Sequence, residues 1–199
     1  MSSKSEILSR IKASKPSPIP LPKVDVSIFN DDVDVIAQFK KMLESVGGNV
    51  LTATSNKDVL DQIKSLFPNL KNNYTTLNEK GFNNIALETI KTPQELEDLD
   101  LLVIEGLFGV AENGAVWIQD SYIPIRVLPF ITKHLVIVLN QSDIYLNMHE
   151  VYKQLSDKDF DFGVFISGPS KTADIEQSLV IGAQGALSVT VFLRIVTES

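Results

Sequence analysis

Apolar residues recur along this chain in two rhythms, helical and strand-like, and the changes between them divide it into elements. Near the start, Ile7, Leu8 and Ile11 fall on one helical face across Ser5–Ala13. Prolines at 16, 18, 20 and 22 then fix φ and block further helix, which makes an extended linker. The pattern predicts an N-terminal helix and Pro-rich linker over 1–23, followed by one domain over 24–199. In that domain Val35, Ile36, Phe39, Met42, Leu43 and Val46 follow helical spacing between Asp32 and Val46, with Gly47 and Gly48 suited to the C-cap. Asn49–Ala53 reads as a short strand, Lys57–Phe67 as a helix, and the Asn-rich stretch Pro68–Lys80 as a surface loop.

The second half is richer in strand signals. Leu101–Glu105, Leu135–Leu139, Phe160–Ile166 and Leu187–Ile195 are compact apolar runs of strand length. Asn113-Gly114 lies between Gly109–Glu112 and Ala115–Ile118, a strong hairpin signal because both turn residues tolerate positive φ. Ser142–Leu155 and Thr172–Ile181 read as helices. Strand–helix alternation with continuous apolar strands predicts an α/β fold, a three-layer mostly parallel sheet with helices on both faces.

Composition narrows the function classes. A length of 199 residues suits one good core, and a net charge of −7 gives a field that repels nucleic-acid phosphates and anionic lipid. There is no cysteine, so disulfides, a thiolate nucleophile and cysteine-ligated iron–sulfur clusters are excluded from these residues. His134 and His149 lack metal-ligand spacing, and no cofactor or metal is expected. The opening MSSKSEILSR has no apolar h-region, and the apolar stretch Leu179–Val196 is broken by Gly182, Gln184 and Gly185; the expectation is a cytoplasmic protein without a membrane span.

Candidate chemistry centres on Ser167-Gly168-Pro169-Ser170-Lys171-Thr172, which joins a predicted strand to a predicted helix. Backbone N–H groups there, the Ser170 and Thr172 hydroxyls and the Lys171 charge could hold a phosphate, sulfate or carboxylate. The plainer reading makes Ser170 or Thr172 an N-cap, with Asp174 and Glu176 placed in the first turn by the helix dipole. The candidate ligand set is therefore Ser167, Gly168, Ser170, Lys171, Thr172 and Asp174. Glu112, beside the hairpin turn, is the candidate general base, with solvent exposure as its alternative and Glu105 as a weaker claimant. Trp117 reads as core and His134 as a polar residue at a strand boundary.

Phe108-Gly109-Val110-Ala111-Glu112-Asn113-Gly114, followed by Ile166-Ser167-Gly168-Pro169-Ser170-Lys171-Thr172-Ala173-Asp174-Ile175-Glu176, resembles the pattern of the lactate-utilization protein C, or LUD-domain, family. The resemblance spans roughly Asp100 to Arg194. It implies a fold similar to the ribose-phosphate isomerase, glucosamine-phosphate deaminase and CoA-transferase group. It also implies a non-redox subunit, working beside iron–sulfur partner proteins in the oxidation of L-lactate to pyruvate. Where family members often carry a basic segment and a Gly-Val-His-Gly-Pro sequence, this chain has Ser121–Arg126 and Gly182-Ala183-Gln184-Gly185-Ala186. The alternatives are a free-standing phosphosugar or acyl-CoA enzyme using Glu112, and a degenerate binding or scaffold protein. A homo-oligomer through the N-terminal helix is also expected, because the stripe of Ile7, Leu8 and Ile11 needs a partner surface.

Overall fold

The computed structural model describes residues 3–17, 19–20, 22, 25–29, 32–79, 81–175, 178–182 and 185–195. The chain divides into two compact units, residues 1–32 and 33–199. In the first, helix α1 (Ser3–Ala13) buries none of its residues, and Ile7, Leu8 and Ile11 are about half exposed. Pro16, Pro20 and Pro22 lie outside helix and strand, while Pro18, Leu21 and Lys23 fall outside the described residues.

The second unit is built on a wholly parallel sheet. Its strands β1 (Asn49–Ala53), β2 (Asn73–Thr75), β3 (Leu101–Glu105), β6 (His134–Asn140) and β11 (Ser188–Arg194) lie in the order β1-β11-β6-β3-β2. Each long strand alternates its apolar residues between two cores, as the pleat requires. Ile104, Ile137 and Val191 sit in register on one face, whereas Val103 and Val136 face the other. Helix α3 (Asn56–Leu66) covers the latter with Val59, Leu60 and Ile63. Ser55 caps this helix by accepting from the Asp58 N–H at 3.1 Å.

Helix α2 (Val35–Ser45) covers the opposite face with Phe39 and Leu43, both fully buried and each stabilising by about 1.5–3 kcal/mol on area arguments. Asp34 caps it, accepting from the Ala37 N–H at 3.0 Å. Beside α2 lies a second sheet. Its strands β4 (Phe108–Val110), β5 (Ala115–Gln119), β7 (Ile144–Tyr145) and β8 (Gly163–Ile166) run in the order β7-β4-β5-β8. Val116 and Ile118 of β5 point into the main core, while Ala115 and Trp117 point outward to Val151 and Leu155 of helix α5 (Met148–Leu155). The α/β expectation of a parallel central sheet flanked by helices therefore holds, with much of one face covered by this smaller sheet.

Several local expectations are corrected. The predicted helix Thr172–Ile181 is an antiparallel pair, β9 (Lys171–Ile175) with β10 (Ser178–Ile181). Thr172, Ile175, Val180 and Ile181 are β-branched, and strand pairing suits such residues better than a helix does. The predicted helix Ser142–Leu155 starts only at Met148, because Ile144–Tyr145 pairs with β4 and the Glu150 carboxylate caps the Asn147 N–H at 2.9 Å. The loop expected over Pro68–Lys80 contains edge strand β2.

Candidate functional site

The two sequence motifs meet on the last turns of α2. Gly114 has φ +67°, and a Cβ built there would lie 2.5 Å from the Leu43 backbone nitrogen, so the hairpin turn presses directly on the helix. Gly168 has φ +70°, and its Cβ would fall 2.7 Å from the Val46 carbonyl oxygen. Any larger residue would push the Ser167 loop off the helix end. Ser167 Oγ then donates to the Asn113 carbonyl at 2.7 Å, joining segments 54 residues apart in sequence.

Behind this contact is a cavity of about 340 Å³. Leu135 and Val189, at the amino ends of β6 and β11, form part of its apolar lining together with Val164 and Ile166 of β8. Phe130, on the short helix α4 (Leu128–Ile131), adds an aromatic wall, and Ser167, Gly168, Ser170 and Lys171 supply the polar groups. The Ser170 backbone is held on both sides: its N–H donates to the Ala186 carbonyl at 3.0 Å, and its carbonyl accepts from the Gly182 N–H at 2.9 Å. Its hydroxyl makes no hydrogen bond among the described residues. Lys171 makes no ion pair among them either. Its ammonium would lie 3.6 Å from a Cβ on Gly47, beside the C-terminal end of α2, where the helix dipole favours a cation.

Other expected site residues fall elsewhere. Thr172 is half-exposed on β9 and is not among the cavity's lining residues. Asp174 is placed on the same strand, and Glu176, Ala183 and Gln184 lie outside the described residues. Residues 171–175 form a strand and not a helix start, so the N-cap and helix-dipole readings of Ser170, Thr172 and Asp174 are corrected: a strand dipole gives no comparable anion site. Glu112 is exposed and outside the lining. The hairpin pairs Val110 with Ala115, which leaves a four-residue turn rather than a two-residue one and places Glu112 within the turn.

The cavity is also at the opposite end of the sheet from the sequence expectation. Strand β8 belongs to the smaller sheet, and the loop after it reaches the amino ends of the parallel strands. Open α/β sheets usually bind ligands beyond the carboxyl ends. There the structure has a polar network that sequence reasoning missed. Arg194 Nε donates to Asn140 Oδ1 at 2.8 Å, and its Nη1 donates to Asn56 Oδ1 at 2.6 Å and Glu105 Oε1 at 3.1 Å. Asn140 Nδ2 in turn donates to Asp143 Oδ2 at 2.8 Å. The signal was present: β3, β6 and β11 are apolar runs that each end in a polar residue, Glu105, Asn140 and Arg194.

The amino edge has a second polar group on the α3 face. Lys133 Nζ donates to Asp100 Oδ1 at 2.8 Å; this bond holds the Asp100 carboxyl below its usual pKa and raises that of Lys133. His134 Nδ1 lies 2.8 Å from Ser188 Oγ, and its ring packs 5.0 Å from that of Phe67. Burial lowers its pKa, with Asp100 opposing. Asp100 is engaged by Lys133, so these residues do not form a Ser-His-Asp relay. Among the described residues, no group of three or more His, Cys, Asp or Glu could hold a metal ion, and no helix is long and apolar enough to cross a membrane.

Comparison with known proteins places this architecture. A crystal structure of a DUF162 family protein from Deinococcus radiodurans superimposes with a TM-score of 0.59, covering 82% of this chain and 96% of that one, at 14% identity. At that identity the likeness concerns the fold. Lactate utilization protein C of Oceanobacillus iheyensis is 27% identical over 88 residues, which is 41% of this chain and 37% of the relative. The match thus spans little more than a third of that curated relative. The model of the LUD domain matches residues 36–193, nearly all of the second compact unit, and the chain belongs to the LUD domain family.

Proposed function

We propose that this chain is a non-redox subunit for organic-acid utilization, acting with iron–sulfur partner proteins in the conversion of L-lactate to pyruvate. On this reading it holds a small anionic ligand at the Ser167–Lys171 loop. The observation that carries the ligand claim is the amino-end cavity: an apolar floor whose polar groups include a Lys171 ammonium and a Ser170 hydroxyl that have no side-chain partner among the described residues. A carboxylate would accept from both while its carbon chain met Leu135, Val189 and Phe130. The pathway claim draws on the likeness to lactate utilization protein C.

Oxidising lactate to pyruvate removes two electrons and two protons. The residues here contain no cysteine, so thiolate-held clusters that accept those electrons belong to another chain. Glu112, exposed and outside the cavity, gives no support to the free-standing enzyme that would use it as base. The pathway claim is tested by recovering the tagged full chain anaerobically from its native cells grown on lactate. Co-purification of a cysteine-rich iron–sulfur protein is expected, and repeated recoveries without one would contradict the reading.

A further inference from the structure

Beyond the carboxyl end of β2 lies a second cavity, of about 400 Å³, that shares no lining residue with the first. Tyr74 stands on β2 itself, Thr76 and Asn78 follow it, and Asp120, Ser121 and Tyr122 follow β5. Its place beyond a parallel strand's carboxyl end is the one at which open α/β sheets take ligands.

The polar groups around it are incompletely used. Among the described residues, Thr76 Oγ1 is buried without a hydrogen-bond partner, and so is Oε1 of Gln119, the residue before Asp120. Buried polar atoms are rarely left unpaired, and of these two residues Thr76 lines the cavity, where a rotation about its χ1 would turn the hydroxyl toward a ligand or water. Gln119 Nε2 donates to Ser121 Oγ at 2.8 Å, which leaves the Ser121 hydroxyl hydrogen free to donate outward. Asp120 is fixed by its own backbone contacts: Oδ2 accepts from the Asp161 and Phe162 N–H groups at 3.1 and 3.2 Å. Its Oδ1 makes no hydrogen bond among the described residues.

Charge decides the ligand class. Among the described residues the lining contains no Lys or Arg, and Asp120 is its one formal charge. Arg126 comes within 3.9 Å of the Asp120 carboxylate and offsets it. Such a surface brings no lining cation to a phosphate or carboxylate, and its partly neutralised acid gives little preference for a cation. What it presents is hydroxyls, a carboxylate oxygen and two phenol rings, a mixture of donors, acceptors and flat apolar faces. Burial, with Glu88 nearby, raises the Tyr74 pKa, so its phenol remains a donor.

We propose that this cavity is a binding site for a neutral polyhydroxylated small molecule, with Thr76, Ser121, Tyr122 and Asp120 Oδ1 sharing its hydroxyl groups. The site is independent of the anion site at Ser167–Lys171, and the two stand or fall separately.

Saturation-transfer NMR on the full chain tests it, with D-ribose and glycerol as neutral probes, ethanolamine as a cation and inorganic phosphate as an anion. Transfer to a neutral probe is expected. Its Kd should rise about tenfold in Ser121→Ala and in Thr76→Val, the size of one lost hydrogen bond, and stay unchanged in Lys171→Gln. Ser121 is exposed, so Ser121→Ala should leave the fold intact, and Tyr122→Phe removes only a phenol oxygen. No transfer to either neutral probe, an unchanged Kd in both Ser121→Ala and Tyr122→Phe, or ethanolamine or phosphate binding that Ser121→Ala abolishes would overturn the proposal.

Discussion

At the carboxyl ends of β3, β6 and β11, Arg194 donates to Glu105, Asn140 and Asn56, whereas near the amino ends of β6 and β11 Lys171 and Ser170 border an apolar cavity with no side-chain partner among the described residues. Each region has a cation near one end of the parallel sheet, Arg194 on β11 and Lys171 on β9. In the first, the cation's neighbours are groups of this chain, and the arrangement ties three strands to the start of α3. In the second, the ammonium lies beside Gly47 at the C-terminal end of α2, and no carboxylate of the described residues neutralises it. An Arg with several fixed acceptors reads as a strand-end staple, while an unopposed Lys beside an apolar hollow reads as half of a binding interaction. The comparison shows that the usual carboxyl-end rule, applied to the parallel strands alone, leads first to a satisfied network.

The largest disruption should come from the platform beneath the amino-end cavity. Gly114→Val adds strain at positive φ and a collision with the α2 backbone, and unfolding free energy measured in urea should fall by about 3 kcal/mol. A loss under about 1 kcal/mol would mean that the hairpin turn does not press on α2. Next, Arg194→Met leaves the Glu105 carboxylate and two amides without their donor. The Arg194 and Glu105 side chains are 22% and 31% exposed, so solvent screening reduces the cost to about 2 kcal/mol in the same measurement. Anion binding at Lys171 should be unaffected by Arg194→Met. If it is lost, the two ends are coupled and the contrast between them fails.

A smaller effect should follow pH. Burial makes the folded His134 bind a proton less readily than the unfolded chain, whose value is about 6.5. Its contribution is therefore present above about pH 6.5 and lost as pH falls from there through the lower folded-state pKa. Asp100, lowered mainly by the Lys133 hydrogen bond, contributes above about pH 3.9 and loses that contribution as pH falls through its own lower folded-state value. Melting temperature should fall on acidification below pH 6.5, and His134→Gln should flatten that slope. An unchanged slope would assign it to other groups. Smallest for the core is removal of residues 1–22, which should change the oligomeric state while scarcely moving the melting of 33–199; an equal loss in the core would show that α1 belongs to it.

The contrast between the ends was only half legible in the sequence. Continuous apolar runs gave β3, β6 and β11 because strands buried on both faces need no polar alternation. Asn113-Gly114 located the hairpin, although pairing with β7 and β8, which sets its separate sheet, depends on contacts distant in sequence. Thr172–Ile181 was misread because a ten-residue mixed run fits either period, and its β-branched content was the better guide. The Ser167 loop was legible as a site candidate through its Gly-Pro and hydroxyl content. Its mechanism was not, since the supposed helix is a strand and the Lys171 ammonium lies beside Gly47 in the turn after α2, more than a hundred residues away in sequence.

Thermal unfolding of the full chain with L-lactate, pyruvate and inorganic phosphate shows whether Lys171 and Ser170, which have no side-chain partner among the described residues, make the amino-end cavity an anion site. At least one of them should raise the melting temperature by mass action, approaching about 2.7 kcal/mol of stabilisation at roughly 100 times its Kd. In Lys171→Gln and Ser170→Ala that rise should be largely abolished, while stability without ligand changes by no more than about 0.5 kcal/mol. No rise with any of the three anions, or a rise of equal size in both variants, would contradict it.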